Sequence, residues 1–207
     1  YTGNPIRPDI YKYKKDYKTH HQDGFLNLLI FGGSQGASFF SDIIPESINK
    51  LDNKKKSLLR VFHQVRNNEF ERVKKCYHSM NVRSEVKTFF YNLPELLNNS
   101  HLLISRSGAS TVAEVAATKI PAIFIPFHHS IDDDQRLNTI ELEKIGQVIV
   151  KNEKKLDSNQ LYKVIDELIE KPEILEKMAK ANKKIVVNNS SEKIRSIIDD
   201  LLSNREL

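Results

Sequence analysis

Apolar runs of strand length alternate with helical stripes over residues 25–150. Leu26–Phe31 (LNLLIF) is stopped by Gly32-Gly33, as a buried strand is. From Gly36 the period changes. Phe39, Phe40, Ile43, Ile44, Ile48 and Leu51 fall on one helical face, and Pro45 is expected to kink or divide that helix. Residues 59–65 (LRVFHQV) predict the next strand, and Phe70, Val73, Tyr77 and Met80 the next helical stripe. Residues 85–90 (EVKTFF) predict a strand, followed by a short helix at 93–98. Leu102–Ser105 predicts a strand and 110–118 a helix. Residues 121–126 (PAIFIP) predict a strand, 137–145 a helix closed by Gly146, and 147–150 the last strand.

Strands this apolar, separated by helices, belong in a parallel sheet covered on both faces. With right-handed crossovers the fold class is α/β, a Rossmann-like doubly wound parallel sheet of about six strands. Beyond it, Leu161, Val164, Ile165, Leu168 and Ile169 keep helical spacing, as do Ile194, Ile197, Ile198, Leu201 and Leu202. Ser190 or Ser191 is the expected N-cap of the last helix. Three regions result: a polar, Tyr/Lys-rich linker or edge segment at 1–24 with no helix expected, the sheet domain at 25–150, and packed C-terminal helices at 151–207. The chain opens on Tyr1 in YTGNPIRPDI and reads as the back half of something longer.

Composition narrows the class. At 39% hydrophobic and 29% charged the chain is too apolar for general disorder. No apolar run reaches the ~18 residues of a spanning helix. Cys76 stands alone, which excludes an internal disulfide and a Cys-rich zinc site and fits a reducing, cytosolic location. A net charge of +5 favours anionic partners without naming one. The Tyr/Lys-rich opening carries no recognisable nucleic-acid motif, so no nucleic-acid partner is expected.

In an open α/β sheet ligands bind beyond the carboxyl ends of the strands. Three loops there are unusual. Gly32-Gly33-Ser34-Gln35-Gly36 lets the backbone approach an anion at a helix N-terminus, although it is neither G-x-G-x-x-G nor a P-loop. Ser105-Arg106-Ser107-Gly108-Ala109-Ser110-Thr111 crowds small residues and hydroxyls at a second helix start, a seat for pyrophosphate. Glu114, one turn on, suits a ribose diol or simple helix charge compensation. The third loop, His128-His129-Ser130-Ile131-Asp132-Asp133-Asp134-Gln135, lacks metal-ligand spacing, so aspartate caps are favoured over a metal and no metal is expected. Gln135 and Asn138 share a helix face that could hydrogen-bond a sugar. His63 reads as structural or catalytic, and Cys76 and the Phe89-Phe90 pair as packing.

GNPIR, GGSQGA, FHQ, the FFYN–LP segment, SRSGASTVAE, KIPAIFIPF and DDDQRLN occur in one order. From about Gly3 to Ile149 this order resembles the C-terminal half of the MurG family of N-acetylglucosaminyltransferases, which make lipid II in peptidoglycan synthesis. The resemblance implies one half of a two-domain GT-B glycosyltransferase, with a UDP-GlcNAc donor, no cofactor, and a helix dipole in the place of a metal. It implies Arg7 as a donor contact, Ser34 with its neighbour Gln35 near the diphosphate, and the backbone of Phe90 at uracil. Ala109, Ser110, Thr111, Val112 and Ala113 would line the nucleotide, Glu114 would hold the ribose hydroxyls and Gln135 would read GlcNAc. The acceptor, lipid-linked MurNAc-pentapeptide, would be held by a missing N-terminal half, with peripheral contact to the inner face of the plasma membrane.

Asp134 and Val65 depart from the family pattern, and nothing matches its glycine-rich acceptor loop. The catalytic base is therefore unassigned. Two alternatives stay open: a stand-alone donor-binding subunit that needs a separate acceptor half, and a non-catalytic nucleotide-sugar-binding remnant. A Rossmann dehydrogenase is disfavoured by the glycine spacing.

Overall fold

The computed structural model describes residues 2–13, 17–18, 24–33, 37–130, 133–181 and 190–203. Six parallel strands, β1 (Leu26–Phe31), β2 (Leu59–Gln64), β3 (Arg83–Lys87), β4 (Leu102–Ser105), β5 (Ala122–Phe124) and β6 (Val148–Val150), lie in the order β3-β2-β1-β4-β5-β6. The order reverses between β1 and β4, which places the crevice of a doubly wound sheet between the loops that leave them.

Alternation along the strands separates two cores. Leu28, Ile30, Leu102, Ile104, Ile123 and Ile125 belong to one core, with side chains of α2 (Ser38–Asn49), α4 (Phe70–Ser79), α8 (Ser158–Glu170) and α9 (Pro172–Ala181). Leu29, Phe31, Leu103, Ala122 and Phe124 belong to the other, with α1 (Asp9–Lys12), α5 (Leu93–Asn99), α6 (Ala109–Thr118) and α7 (Asp134–Lys144). A short helix, α3 (Asn53–Leu58), leads into β2, and α10 (Ser190–Ser203) ends the described chain. Ile197, Ile198, Leu201 and Leu202 of α10 are exposed.

Three local expectations are corrected. Of the kink or division expected at Pro45, the division does not occur: α2 is one helix over Ser38–Asn49. The proline cannot donate to the carbonyl of Ser41, and an Arg72 guanidinium N–H at 3.4 Å takes that place. The polar opening contains the one-turn α1, whose Ile10 is buried against α5 and α6. β3 lies earlier than 85–90 because it is a polar edge strand. Phe89 and Phe90 follow it in the loop.

His63 ends up in the core and not at the crevice. It is fully buried, with Nδ1 2.9 Å from the Tyr77 hydroxyl and Nε2 without a hydrogen-bond partner. Burial pushes its pKa from 6.5 down to about 3. Above pH 6.5 the imidazole is neutral in folded and unfolded chains alike and costs nothing. As the pH falls further, the unfolded chain binds a proton that the folded one refuses. Stability then drops by about 1.4 kcal/mol per pH unit. Denaturant titrations from pH 7.5 to 5 should show a loss of about 2 kcal/mol that His63→Gln abolishes. An equal pH slope in that variant would refute the assignment.

Candidate functional site

β1, β4 and β5 each deliver a loop and then a helix N-terminus to the carboxyl edge of the sheet. No helix that starts there carries a side-chain cap. Ala37 precedes α2, Glu69 α4, Asn92 α5, Gly108 α6 and Asp133 α7. By contrast α3 is capped by Asp52 and α8 by a capping box of Asp157 and Gln160. The first-turn amides of α6 keep their capacity to bind an anion, whereas the Phe70 amide of α4 already donates to the Asn67 carbonyl and the Phe40 amide of α2 to the Ala37 carbonyl at 2.9 Å. The aspartate cap expected for α7 is not made. Asp133 sits in the left-handed region at φ 55°, where its carboxylate cannot meet the amides that an extended N-cap residue reaches.

α6 starts at Ala109. Ala109 and Ser110 are exposed, Thr111, Val112 and Ala113 half-buried, and Glu114 buried. A carboxylate this deep needs a partner. Arg7 supplies it from the N-terminal segment, through Nε to Oε1 and an Nη to Oε2, both at 2.6 Å. The fork holds the carboxylate at a fixed angle and leaves its remaining lone pairs for other donors. Two residues expected at one site are thus brought together from 107 positions apart. α1 secures the segment, and the Ile10 carbonyl accepts from the Asn98 amide at 3.2 Å.

Gln135, in the first turn of α7, is half-buried. Its Oε1 accepts from the Phe127 amide at 3.0 Å and its carbonyl accepts from the Ser107 hydroxyl at 2.8 Å. Asn138 donates to the Ser107 carbonyl at 3.1 Å. These bonds fasten α7 to both neighbouring loops while the Gln135 amide N–H groups stay unused in them. Ser34 and Gln35 lie outside the described residues. Gly33, before them, has its carbonyl held by the Gln64 amide at 3.1 Å, which explains the position of FHQ at the end of β2. Phe90 is buried in the second core, so only its backbone is left to face the edge. Phe89 and Tyr91 beside it are exposed and meet edge to face at 4.9 Å.

Sequence reasoning passed over two residues. The Arg106 guanidinium is buried, donates to the carbonyls of Ile125 and Pro126, and lies over the rings of Phe40, Phe127 and Phe39 at 4.9, 5.2 and 5.7 Å. An Nη of Arg106 reaches Oε1 of Glu153 at 2.5 Å, in the single-turn helix Glu153–Lys155 after β6. Oε2 of Glu153 accepts from the His128 amide at 3.1 Å and Nδ1 at 2.7 Å. Burial by itself would raise the Glu153 pKa. The bonds from Arg106 and His128 outweigh it and hold the carboxyl below its ordinary value. Arg106 was visible in S-R-S-G, but Glu153, in the N-E-K-K stretch, carried no signal. Among the described residues no three His, Cys, Asp or Glu side chains are grouped as a metal site requires.

Residues 27–201 match the model of the glycosyltransferase family 28 C-terminal domain. The chain belongs to this family. It is 37% identical over 206 residues to the "UDP-N-acetylglucosamine--N-acetylmuramyl-(pentapeptide) pyrophosphoryl-undecaprenol N-acetylglucosamine transferase" of Bartonella quintana, covering 99% of this chain and 54% of the relative. A protein of the same name from Caulobacter vibrioides is 36% identical over 197 residues, covering 95% and 54%. The crystal structure of Acinetobacter baumannii MurG superposes with a TM-score of 0.77 at 26% identity, over 95% of this chain and 55% of that one. The chain thus spans about half the length of the relatives it matches, and the family assignment agrees with its doubly wound six-stranded sheet.

Proposed function

We propose that this chain is the UDP-GlcNAc-binding half of the glycosyltransferase that transfers GlcNAc to lipid-linked MurNAc-pentapeptide, converting lipid I to lipid II. One observation carries the reading: the buried Glu114 carboxylate, oriented by Arg7, lies one turn below the uncapped start of α6. Uncapped amides suit a diphosphate, and a carboxylate with spare lone pairs suits a diol. A nucleoside diphosphate sugar presents both groups. In this reading Arg7 acts chiefly by aiming Glu114 at the ribose. The diphosphate takes the α6 start at Ala109–Ala113 together with Ser34 and Gln35, the uracil meets the Phe90 backbone, and Gln135 turns its amide toward GlcNAc.

The transfer itself joins an acceptor hydroxyl oxygen to C1 of GlcNAc as the C1–O bond to UDP breaks. The hydroxyl proton goes to a base, and the charge developing on UDP is met by helix-terminal amides. Acceptor and base belong to the other half of the enzyme. No described helix is long and apolar enough to cross a membrane. We place the enzyme in the cytoplasm, peripheral on the inner face of the plasma membrane, where its lipid-linked acceptor lies.

The test is calorimetric. Wild type should bind both UDP and UDP-GlcNAc. Gln135→Ala should weaken UDP-GlcNAc by roughly 5–10-fold, the loss of one or two neutral hydrogen bonds, and leave UDP nearly unchanged. Equal losses for both ligands would remove Gln135 from the sugar site. No binding of either ligand by wild type would refute the donor reading.

A further inference from the structure

We propose that Glu153 is a positioning residue for nucleotide-sugar binding, clamping the β4–α6 and β5–α7 loops into one unit through Arg106 and His128. The proposal rests on the reading that these two loops hold the donor. Glu153 belongs to neither loop. Its two carboxylate oxygens divide between them: Oε1 takes Arg106, which follows β4, and Oε2 takes both the amide and the ring of His128, which follows β5. Arg106 closes the clamp from the other side by holding the carbonyls of Ile125 and Pro126, where the second loop begins.

The residues that fix Gln135 are the immediate neighbours of the clamped ones. Phe127, whose amide binds the Gln135 side chain, precedes His128. Ser107, whose hydroxyl binds the Gln135 carbonyl, follows Arg106. Glu153 therefore sets the spacing of the loops between which Gln135 is suspended. A network of this kind is rigid only while each buried member is satisfied. Removal of the carboxylate leaves Arg106 buried without compensation and frees the His128 amide. The displacement falls first on the sugar end of the site, since the uracil end is built from the β3–α5 loop, which the clamp does not touch. Outer partners that orient the ligands of metal sites are worth about 10–100-fold in affinity, which sets the scale for a clamp of this kind.

The test pairs amide hydrogen exchange with calorimetry on the full chain. Glu153→Gln keeps the side-chain volume but cannot accept from Arg106 and His128 with two charged oxygens. Exchange over 106–108 and 127–130 should accelerate by about 10–100-fold, while β1, β2 and α4 amides stay unchanged. UDP-GlcNAc affinity should fall by about 10-fold and UDP affinity by less than about 3-fold. His128→Ala, which removes only the imidazole, should reproduce a smaller part of both effects and keeps the test decisive if Glu153→Gln does not fold. Uniform acceleration across the domain would show a merely structural residue and overturn the proposal. So would loop-specific acceleration with both affinities unchanged. A wild type that binds neither ligand would refute the donor reading instead, and the exchange pattern would still decide whether the clamp exists.

Discussion

Glu114→Ala should lower the affinity of this chain for UDP and UDP-GlcNAc alike, by about 10–150-fold. The range corresponds to a charge-assisted hydrogen bond of roughly 1.5–3 kcal/mol. Equal loss is the specific expectation, because ribose is common to both ligands and the carboxylate sits beneath the α6 start. Folding should survive. The Glu114 partner, Arg7, has a side chain 48% exposed, so its charge returns to water when the carboxylate is gone. The reverse change, Arg7→Ala, would strand a buried carboxylate and is the poorer experiment. Calorimetry with both ligands, after thermal melts establish folding, reads the result. UDP affinity unchanged in a folded Glu114→Ala protein would take Glu114 out of the nucleotide site.

The 207-residue polypeptide alone should bind donor and transfer none of it. Transfer requires donor and acceptor to be held in line, and such positioning is worth up to about 7–11 kcal/mol of barrier. His63 is locked in the core and His128 is occupied by Glu153. A radiolabelled assay with lipid I should stay at background for this chain and rise when an acceptor half is supplied. The apolar face of α10, with Ile197, Ile198, Leu201 and Leu202 exposed, is a surface that such a half could cover. Robust transfer by the isolated chain would refute this division of labour and bring His129 forward as a base. Donor binding with no transfer even after an acceptor half is added would favour the non-catalytic remnant.

Much of the fold was legible because burial on both faces leaves a strand almost no polar positions. β1 and β4 stand where their apolar runs stand, Leu26–Phe31 and Leu102–Ser105, since a polar side chain there must find a partner of its own, as Ser105 does at the Arg106 carbonyl. The glycine-rich and serine-rich turns were likewise visible as small residues between a strand and a helix. β3 was misplaced because an edge strand answers to weaker demands. Its residues are mostly exposed, and the neighbouring aromatics outshone them.

Tertiary structure alone decided which polar groups meet. Composition and spacing could not couple Arg7 to Glu114, nor Arg106 and His128 to Glu153, because long-range ion pairs leave no local period. The uninterrupted helix through Pro45 depended on Arg72, a residue of another element, arriving at the orphaned carbonyl. The missing cap of α7 depended on a left-handed Asp133. Hydrophobic patterning is read against water, which every residue meets, and so it determines layers and elements from the chain alone. Charges and hydrogen bonds are read against particular partners, and those partners exist only once the layers have closed.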